Sequence, residues 1–447
     1  MEDRIGIIGA GLVGSLHAMY LAQKGLRISV FERRPDVRNV ELVGGRSINL
    51  ALSDRGWKAL EGVGLDAEVR KMAIPMHGRV MHAVDGTLTY QPYGKEGQAI
   101  YSVSRGGLNQ LMLRKVDELD NAALYFDRKC RDIDVRSGEV TFEHTVSGER
   151  EKHTFDRIFG TDGAFSAVRS RMQRRDRFNY SQTYLTHGYK ELEIPPNADG
   201  THKMEVNALH IWPRGEYMLI ALPNLDGSYT VTLFFPFEGP VSFDSLDSDQ
   251  KVMDFFTEVF PDALDLMPDL IGDWHANPTS SLVTISCSPW NIEDRVLLMG
   301  DASHAIVPFY GQGMNSGFED CRVFDDVFEA NNRDWARTFE EFNRLRVPAA
   351  EGIKELALQN YIEMRDLTAD PRFLLQKKIE KHFSAKHPER WLPLYGQVTF
   401  SHIPYHEALA QGKVQDAIMQ RVMDRPDIES VWNSEEVERA ILAELEA

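Results

Sequence analysis

Short apolar runs and helically spaced apolar residues alternate along this chain, which predicts an α/β fold. Apolar residues at helical spacing follow the first run, recur over 104–119 and appear again from about residue 314. Strands buried on both faces of a parallel sheet are short and almost continuously apolar. Four segments have this character: 4–8, 27–31, 157–161 and 294–300.

A second pattern occupies residues 204–237. Three strand-like segments, 205–212, 216–222 and 228–235, are separated by Arg214-Gly215 and Asp226-Gly227. This spacing predicts an antiparallel meander with one covered face. Elsewhere the pattern predicts a loop and then a helix over 46–70, a hairpin over 81–90 with Asp85-Gly86 as its turn, and helices from about 345 to the end.

Charge and cysteine content narrow the class of protein. The chain has 68 acidic and 50 basic side chains, a net charge of −18, which argues against a nucleic-acid or anionic-membrane partner. Its three cysteines are too few and too scattered for a disulfide framework or a zinc site, so we expect no metal. Acidic residues precede the first apolar stretch, and no run approaches the ~18 apolar residues of a spanning helix. We therefore expect a cytoplasmic protein without a membrane anchor.

The N-terminal strand runs into a glycine turn that opens a helix. Gly9, Gly11 and Gly14 form the GxGxxG pattern, and Glu32 stands at the end of the next strand. In this context the pattern predicts a dinucleotide site, with the pyrophosphate at the helix N-terminus and the acid on a ribose. We expect Gly9 to allow the turn, Gly11 to admit the pyrophosphate and Gly14 to let helix and strand pack closely.

Two further motifs extend this site. Gly160-Thr161-Asp162-Gly163 follows another buried strand, and Met299-Gly300-Asp301-Ala302-Ser303-His304 follows a third. A second glycine turn comes next and opens a helix; its candidate ligand-binding residues are Gly311, Gly313, Met314 and Asn315. Asp301 would meet a ribityl or ribose hydroxyl, and the helix end would stabilise negative charge on a reduced flavin ring.

In this order and spacing the motifs resemble those of the group A flavoprotein aromatic hydroxylases, which share the para-hydroxybenzoate hydroxylase fold. The resemblance implies bound FAD, NADPH as a transient reductant, and Arg105 near the FAD pyrophosphate. It also implies a Rossmann-like FAD-binding domain, an antiparallel-sheet substrate domain and C-terminal helices. We place the first part of the FAD-binding domain at 1–184, with a substrate-domain hairpin near 70–100. The substrate domain then spans 185–275, the second FAD part 276–345, and the helical region covering the active site 346–447.

The resemblance is closer to one branch of that group, the kynurenine 3-monooxygenases. Long blocks carry it from end to end: 45–53, 91–94, 187–192, 207–213, 307–315, 360–364 and 395–405. It implies NADPH- and O2-dependent hydroxylation of L-kynurenine to 3-hydroxy-L-kynurenine through a flavin hydroperoxide. One departure is Tyr310, which stands where bacterial members have histidine.

The same resemblance assigns the substrate contacts. Arg79 would grip the α-carboxylate with two parallel hydrogen bonds, joined by Tyr93, Asn360 and Tyr395. The ring would lie among apolar side chains that, without the match, are ordinary core residues: Leu209, Met218, Leu222, Phe234, Phe309 and Met364. We assign no catalytic side chain, because the aniline nitrogen already activates the ring.

Other functions remain open on the sequence alone. The same fold could serve another flavin-dependent monooxygenase, or a halogenase, acting on a different aromatic amine or acid. None of the seven tryptophans makes the Trp-x-Trp-x-Ile-Pro stretch typical of halogenases. A non-catalytic carrier is a third possibility, and the intact glycines together with Asp301 argue against it.

Overall fold

The computed structural model describes residues 3–38, 40, 49–364 and 370–446. The first part of the sequence block 45–53, up to residue 48, lies outside the described residues.

Nineteen strands are assigned within the described ranges. In chain order they are β1 (Arg4–Ile8), β2 (Arg27–Phe31), β3 (Asn49–Leu52), β4 (Ala73–Met76), β5 (Gly78–His82), β6 (Leu88–Pro92), β7 (Ile100–Ser104), β8 (Ala122–Tyr125), β9 (Arg128–Asp134), β10 (Glu139–His144), β11 (Arg150–Thr154), β12 (Arg157–Gly160), β13 (Asn179–Ile194), β14 (Ala208–Pro213), β15 (Met218–Pro223), β16 (Tyr229–Pro236), β17 (Ser280–Ser288), β18 (Asn291–Ile292) and β19 (Val296–Leu298).

Sixteen α-helices accompany them in the same part of the chain. They are α1 (Leu12–Gln23), α2 (Asp54–Glu61), α3 (Asp66–Arg70), α4 (Arg105–Asp117), α5 (Ala167–Met172), α6 (Asp249–Val259), α7 (Pro261–Leu264), α8 (Leu270–Ala276), α9 (Asp301–His304), α10 (Gly313–Ala330), α11 (Trp335–Ile362), α12 (Pro371–Lys386), α13 (Leu394–Thr399), α14 (Tyr405–Met423), α15 (Ile428–Val431) and α16 (Glu435–Glu444).

The four predicted buried strands are neighbours in one six-stranded sheet, in the order β18-β19-β12-β1-β2-β8. β1 pairs in parallel with β2 on one side and with β12 on the other, and β12 pairs in parallel with β19. The carboxyl ends of these strands therefore meet at one edge, where the three glycine-rich motifs follow. The mixed α/β class is confirmed.

The predicted meander is confirmed as β14, β15 and β16, and the predicted hairpin as β5 and β6. Both belong to a seven-stranded sheet in the order β17-β13-β16-β15-β14-β5-β6. β14 and β5 pair in parallel, with Leu209 opposite Arg79. The hairpin therefore extends the meander, although more than a hundred residues separate them in the chain.

Strand β13 is 16 residues long and runs through the boundary that we place between residues 184 and 185. Its first half pairs with β17, and from His187 onward it pairs with β16, with Gly188 and Tyr189 pairing with both neighbours. The strand thus connects the two regions, and our division into domains stays a prediction.

The C-terminal helices are confirmed, including the N-cap of the last one, where the Ser434 hydroxyl accepts a hydrogen bond from the Val437 amide. Within one apolar core, residues of α11 and α14 such as Ile353 and Ala408 join Met218 and Phe234 of the meander. The helices therefore cover one face of the seven-stranded sheet. No helix within the described residues has both the length and the apolar character needed to cross a bilayer.

The sequence patterns missed a small antiparallel sheet in the order β3-β7-β4. The prediction of a loop and then a helix over 46–70 was wrong at 49–52, where β3 lies, and incomplete after it, where two helices follow instead of one. Each strand of this sheet has only four or five residues, too few to show a period of two. β7 pairs with both β3 and β4, and these pairings between separate segments, rather than local sequence patterns, form the sheet.

Candidate active site

A single cavity of about 610 Å³ extends from the glycine turn after β1 to the inner face of the meander. All ten predicted substrate contacts line it: Arg79, Tyr93, Leu209, Met218, Leu222, Phe234, Phe309, Asn360, Met364 and Tyr395. Nine of the eleven predicted cofactor residues also line it: Gly9, Gly11, Glu32, Arg105, Asp162, Asp301, Gly311, Gly313 and Met314. Gly14 and Asn315 do not. The structure thus brings the whole substrate set and most of the cofactor set to one cavity.

The three glycines of the N-terminal turn have different surroundings. Gly9 has φ +106°, and a Cβ there would lie 2.5 Å from the Thr161 carbonyl oxygen. A Cβ on Gly14 would lie 1.9 Å from the Gly9 oxygen, so this glycine serves close packing. A Cβ on Gly11 would meet no atom of the described part of the chain within 4 Å, its chain neighbours aside, and would project into space beside the cavity that Gly11 lines.

Gly11 is also the N-cap of α1, and it provides no side-chain cap. The first N–H groups of a helix lack partners within the helix, and together with the helix dipole they favour an anion. The turn therefore has the shape and polarity of a pyrophosphate cradle.

Glu32 is buried just after β2, and two residues, Ala10 and Arg34, already donate hydrogen bonds to its carboxylate. Its carboxylate accepts bonds from the Ala10 amide at 3.0 Å and from the Arg34 Nε at 2.9 Å. Burial opposes ionisation, but the bonds from Arg34 lower the pKa of Glu32 below its usual value. Arg34 is half exposed and can swing away, so the ionised carboxylate suits a ribose hydroxyl.

Asp162 offers an acceptor that the described residues do not satisfy. Its Oδ2 accepts a hydrogen bond from the Ala167 amide at 2.7 Å, whereas its buried Oδ1 has no partner. Burial raises the pKa of this carboxyl. A buried oxygen without a donor is costly, so this atom fits a ligand that donates a hydrogen bond into the cavity.

The third motif supplies the opposite wall. Asp301 is exposed and begins α9, and Gly311 has φ +67°, as a left-handed cap requires. Asn315 lies behind them: its amide nitrogen donates to the carbonyl oxygens of Ala51 and Gly311, each at 2.8 Å. It also accepts from the Ser53 amide at 2.9 Å. Asn315 therefore fixes the turn from behind, rather than lining the cavity.

A buried charge network fixes α9. One Asp320 oxygen accepts hydrogen bonds from the Gly300 amide at 2.9 Å and from His304 Nε2 at 2.6 Å, so it holds both ends of the helix that begins with Asp301. Its other oxygen pairs with Arg346 Nε at 2.7 Å. Arg346 also pairs with Glu319, which binds Arg55 at 2.5 Å, so α2, α10 and α11 are tied together here.

The charges around Asp320 predict how the stability of the fold depends on pH. Burial alone would raise the pKa of Asp320, but His304 and Arg346 lower it from 3.8 to about 2. Because the pKa of Asp320 is lower in the folded protein than in the unfolded chain, its ionised carboxylate stabilises the fold fully at pH values above the unfolded pKa. That stabilisation is lost as the pH falls toward the folded pKa. We expect the destabilisation caused by Asp320→Asn to shrink by about 1 kcal/mol between about pH 6 and pH 3.

Denaturant unfolding followed by circular dichroism measures this difference. Asp326→Asn is the matched control, because Asp326 lies on the same helix with a largely exposed side chain. A penalty for Asp320→Asn that stays constant with pH would contradict the assignment.

At the other end of the cavity, Arg79 lies among tyrosines. Its guanidinium carbon is 5.3 Å from the Tyr93 ring centroid and 5.6 Å from that of Tyr395. The rings of Tyr93 and Tyr395 stack at 5.2 Å, and the Tyr310 ring stacks on Tyr395 at 5.7 Å. Burial raises the pKa of all three phenols, so they stay protonated and can donate hydrogen bonds.

No ion pair to Arg79 is found within the described part of the chain, so its charge is available to a ligand carboxylate. Asn360 donates from its amide nitrogen to the Phe309 carbonyl oxygen at 2.6 Å and thereby positions Phe309. The Phe309 ring packs against Phe234 at 4.9 Å. Aromatic walls next to a cation suit an aromatic amino acid.

The strand that carries Arg79 is held from its far side. His82 Nδ1 lies 2.8 Å from Asp262 Oδ2, and His82 Nε2 lies 2.9 Å from His210 Nδ1. His210 Nε2 donates in turn to the Glu205 carbonyl oxygen at 2.8 Å. Burial lowers the pKa of His210 to about 4, so this histidine is neutral near pH 7. The chain of bonds keeps β5 and β14 in register beneath the cavity.

Sequence reasoning missed several lining residues. Ile211 and Ile220 line the cavity, and each lies two residues from a predicted contact on its strand. The period of two in β14 and β15 could have identified them. Arg128 and Lys129 also line the cavity, and no local pattern marks them.

Comparisons with known proteins identify the fold and the family. The model of a family described as "FAD binding domain" matches residues 2–337. Among solved structures, a tetrameric form of 2-methyl-3-hydroxypyridine-5-carboxylic acid oxygenase matches with a TM-score of 0.67 at 18% identity, covering 83% of this chain and 94% of that one. A tetracycline destructase matches with a TM-score of 0.61 at 18% identity, covering 88% and 99%. These two likenesses show the fold.

The fold and the cavity therefore define an FAD-dependent monooxygenase of the aromatic hydroxylase class. A kynurenine 3-monooxygenase from Flavobacterium johnsoniae is 53% identical over 98% of both chains. Others, from Myxococcus xanthus and Anopheles gambiae, are 46% and 44% identical over 95% and 96% of this chain and 91% and 88% of their own lengths. The chain belongs to the kynurenine 3-monooxygenase family.

Proposed function

We propose that this protein hydroxylates L-kynurenine on the ring carbon next to the amino group. The products are 3-hydroxy-L-kynurenine, NADP⁺ and water, formed at the expense of NADPH and O2. One observation carries the proposal: a single cavity joins a pyrophosphate cradle at Gly11 to a cation without an ion-pair partner in the described chain, Arg79.

Each residue around the pyrophosphate cradle can be matched to a part of FAD. The open space beside Gly11 and the N-terminus of α1 would receive the pyrophosphate, with Arg105 nearby. Glu32 would bind the adenosine ribose, and Asp162 and Asp301 would meet the hydroxyls that follow. When bound, FAD supplies the redox chemistry that activates O2.

The protein's own residues bind and orient the substrate. Arg79 would bind the α-carboxylate with its planar fork, and the protonated phenols of Tyr93 and Tyr395 would add hydrogen bonds. Leu209, Met218, Leu222, Phe234, Phe309 and Met364 would surround the ring and keep out water, which would divert activated oxygen.

The location of the enzyme is part of the proposal. Cys130, Cys287 and Cys321 are all unpaired and buried, as in proteins of a reducing compartment. We infer that the protein acts in the cytoplasm.

Product analysis tests the function. We expect the holoenzyme, with NADPH and O2, to convert L-kynurenine to a product heavier by one oxygen atom, which comes from isotopically labelled O2. We also expect L-kynurenine to accelerate the bleaching of the flavin by NADPH. Anthranilate is the matched control, because it has the amino-bearing ring without the amino-acid chain. Equal turnover of both compounds would favour the alternative, a monooxygenase for another aromatic amine or acid.

A further inference from the structure

The exposed end of β13 carries a row of aromatic and amide side chains. Tyr180, Gln182 and Tyr184 alternate along the strand and so share one face; we call them the aromatic row. Tyr180 is 37% exposed and Tyr184 51%. The two rings therefore present aromatic surface to the solvent on one face of the strand.

Hydrogen bonds hold the aromatic row in place. The Tyr180 hydroxyl donates to Gln182 Oε1 at 2.5 Å, and Gln182 Nε2 donates to the Tyr184 hydroxyl at 2.6 Å. The buried guanidinium of Arg169 lies 5.0 Å from the Tyr180 ring centroid. Ordering exposed side chains costs conformational entropy, so a fixed row is preorganised for binding.

The aromatic row borders the flavin end of the cavity. Tyr184 and Tyr180 lie opposite Val283 and Cys287 of β17, and directly paired residues share a face. Val283 lines the cavity, and Cys287 contacts the Ser303 carbonyl oxygen of α9. The face that carries the aromatic row is therefore turned toward α9, and Tyr184 lies one strand away from the cavity wall at Val283.

The chain next to the aromatic row is basic although the protein as a whole is acidic. Residues 169–177 contain five arginines and one acid, against a net charge of −18 for the whole chain. Of these five, Arg169 is buried, and Arg171 and Arg175 pair with Asp132 and Glu293, which leaves Arg174 and Arg177 to form the patch. Arg174 and Arg177 are exposed in the loop that leads into β13. A local positive patch attracts a multiply charged anion that the rest of the surface would repel.

We propose that the aromatic row and these arginines dock the nicotinamide dinucleotide that reduces the flavin. This inference rests on the proposed function, since it supplies the NADPH site of the same reaction. The two rings lie four residues apart, about 13 Å along a strand, and each offers a face for stacking. The arginines meet the phosphates. From this site the nicotinamide gives a hydride, two electrons and a proton, to the flavin and leaves as NADP⁺.

The test uses the holoenzyme with Tyr180→Ser/Tyr184→Ser and, separately, with Arg174→Gln/Arg177→Gln. NADP⁺ is titrated by calorimetry into the oxidised protein, and NADPH reduction is followed by anaerobic stopped flow with L-kynurenine present. We expect the Kd for NADP⁺ and NADPH to rise at least about fivefold in each double variant, the low end for losing a stacking ring. FAD content, the Kd for L-kynurenine and the limiting reduction rate stay unchanged.

Val146→Ser/Arg136→Gln is the control, because both residues are exposed in hairpin turns of the β9-β10-β11 sheet. An unchanged dinucleotide Kd in both test variants would overturn the proposal, as would an equal rise in the control. If the wild-type protein binds NADP⁺ through the aromatic row and L-kynurenine does not accelerate its reduction, the docking site stands and the proposed function fails.

Discussion

The Arg79→Ala variant is expected to raise the KM for L-kynurenine by about 30-fold to several thousand-fold, corresponding to about 2–5 kcal/mol. Truncating one partner of a desolvated charge pair leaves the other charge without compensation. Here the pair would be the substrate carboxylate and the Arg79 guanidinium, which lies beside the stacked rings of Tyr93 and Tyr395. Steady-state kinetics at saturating NADPH measures the effect.

Two further variants separate charge from shape. Arg79→Lys keeps the charge but loses the planar fork, so its KM should lie between wild type and Arg79→Ala. Arg136→Ala removes an exposed arginine from a distant hairpin turn and should leave KM unchanged. All three should retain FAD, because Arg79 lies at the substrate end of the cavity. A normal KM in Arg79→Ala would remove the basis for placing the carboxylate there.

The parts of the fold with a strong local signal could be predicted from the sequence. The glycine turn, β1, β2 and the meander each have a clear periodicity or a residue with one steric role, such as Gly14 against the Gly9 carbonyl. The sheet β3-β7-β4 was missed because its strands are too short to show a period. Its existence depends on pairing between segments far apart in the chain.

The candidate site shows the same division. Arg79 alone, as a sequence position, looks like any surface arginine; only the parallel pairing of β5 with β14 sets it opposite Leu209. The network around Asp320 could not be predicted either, because its members come from four separate elements. Pairing between distant segments of the chain determines which polar groups come into contact, and local sequence patterns do not reveal that pairing.

The Gly11→Val variant is expected to fold and to purify without flavin. Gly11 has φ −73°, which any residue adopts, and apart from its chain neighbours no atom of the described residues lies within 4 Å of a Cβ built there. The added side chain therefore costs the apoprotein little, up to about 1 kcal/mol for the changed N-cap. The valine side chain would occupy the space where a pyrophosphate approaches the N–H groups of α1, so we expect loss of the visible flavin absorbance and of all activity.

Gly14→Val is the informative contrast. A Cβ at Gly14 would lie 1.9 Å from the Gly9 oxygen and 2.6 Å from Thr161 Oγ1, so we expect this variant to be strongly destabilised. The melting temperature of Gly11→Val should therefore be close to that of the wild-type apoprotein. The apoprotein is the reference because bound FAD itself stabilises the folded state. Full flavin content in Gly11→Val would show that the cofactor's phosphates lie elsewhere. It would contradict the assignment of the Gly11 end of the cavity to FAD.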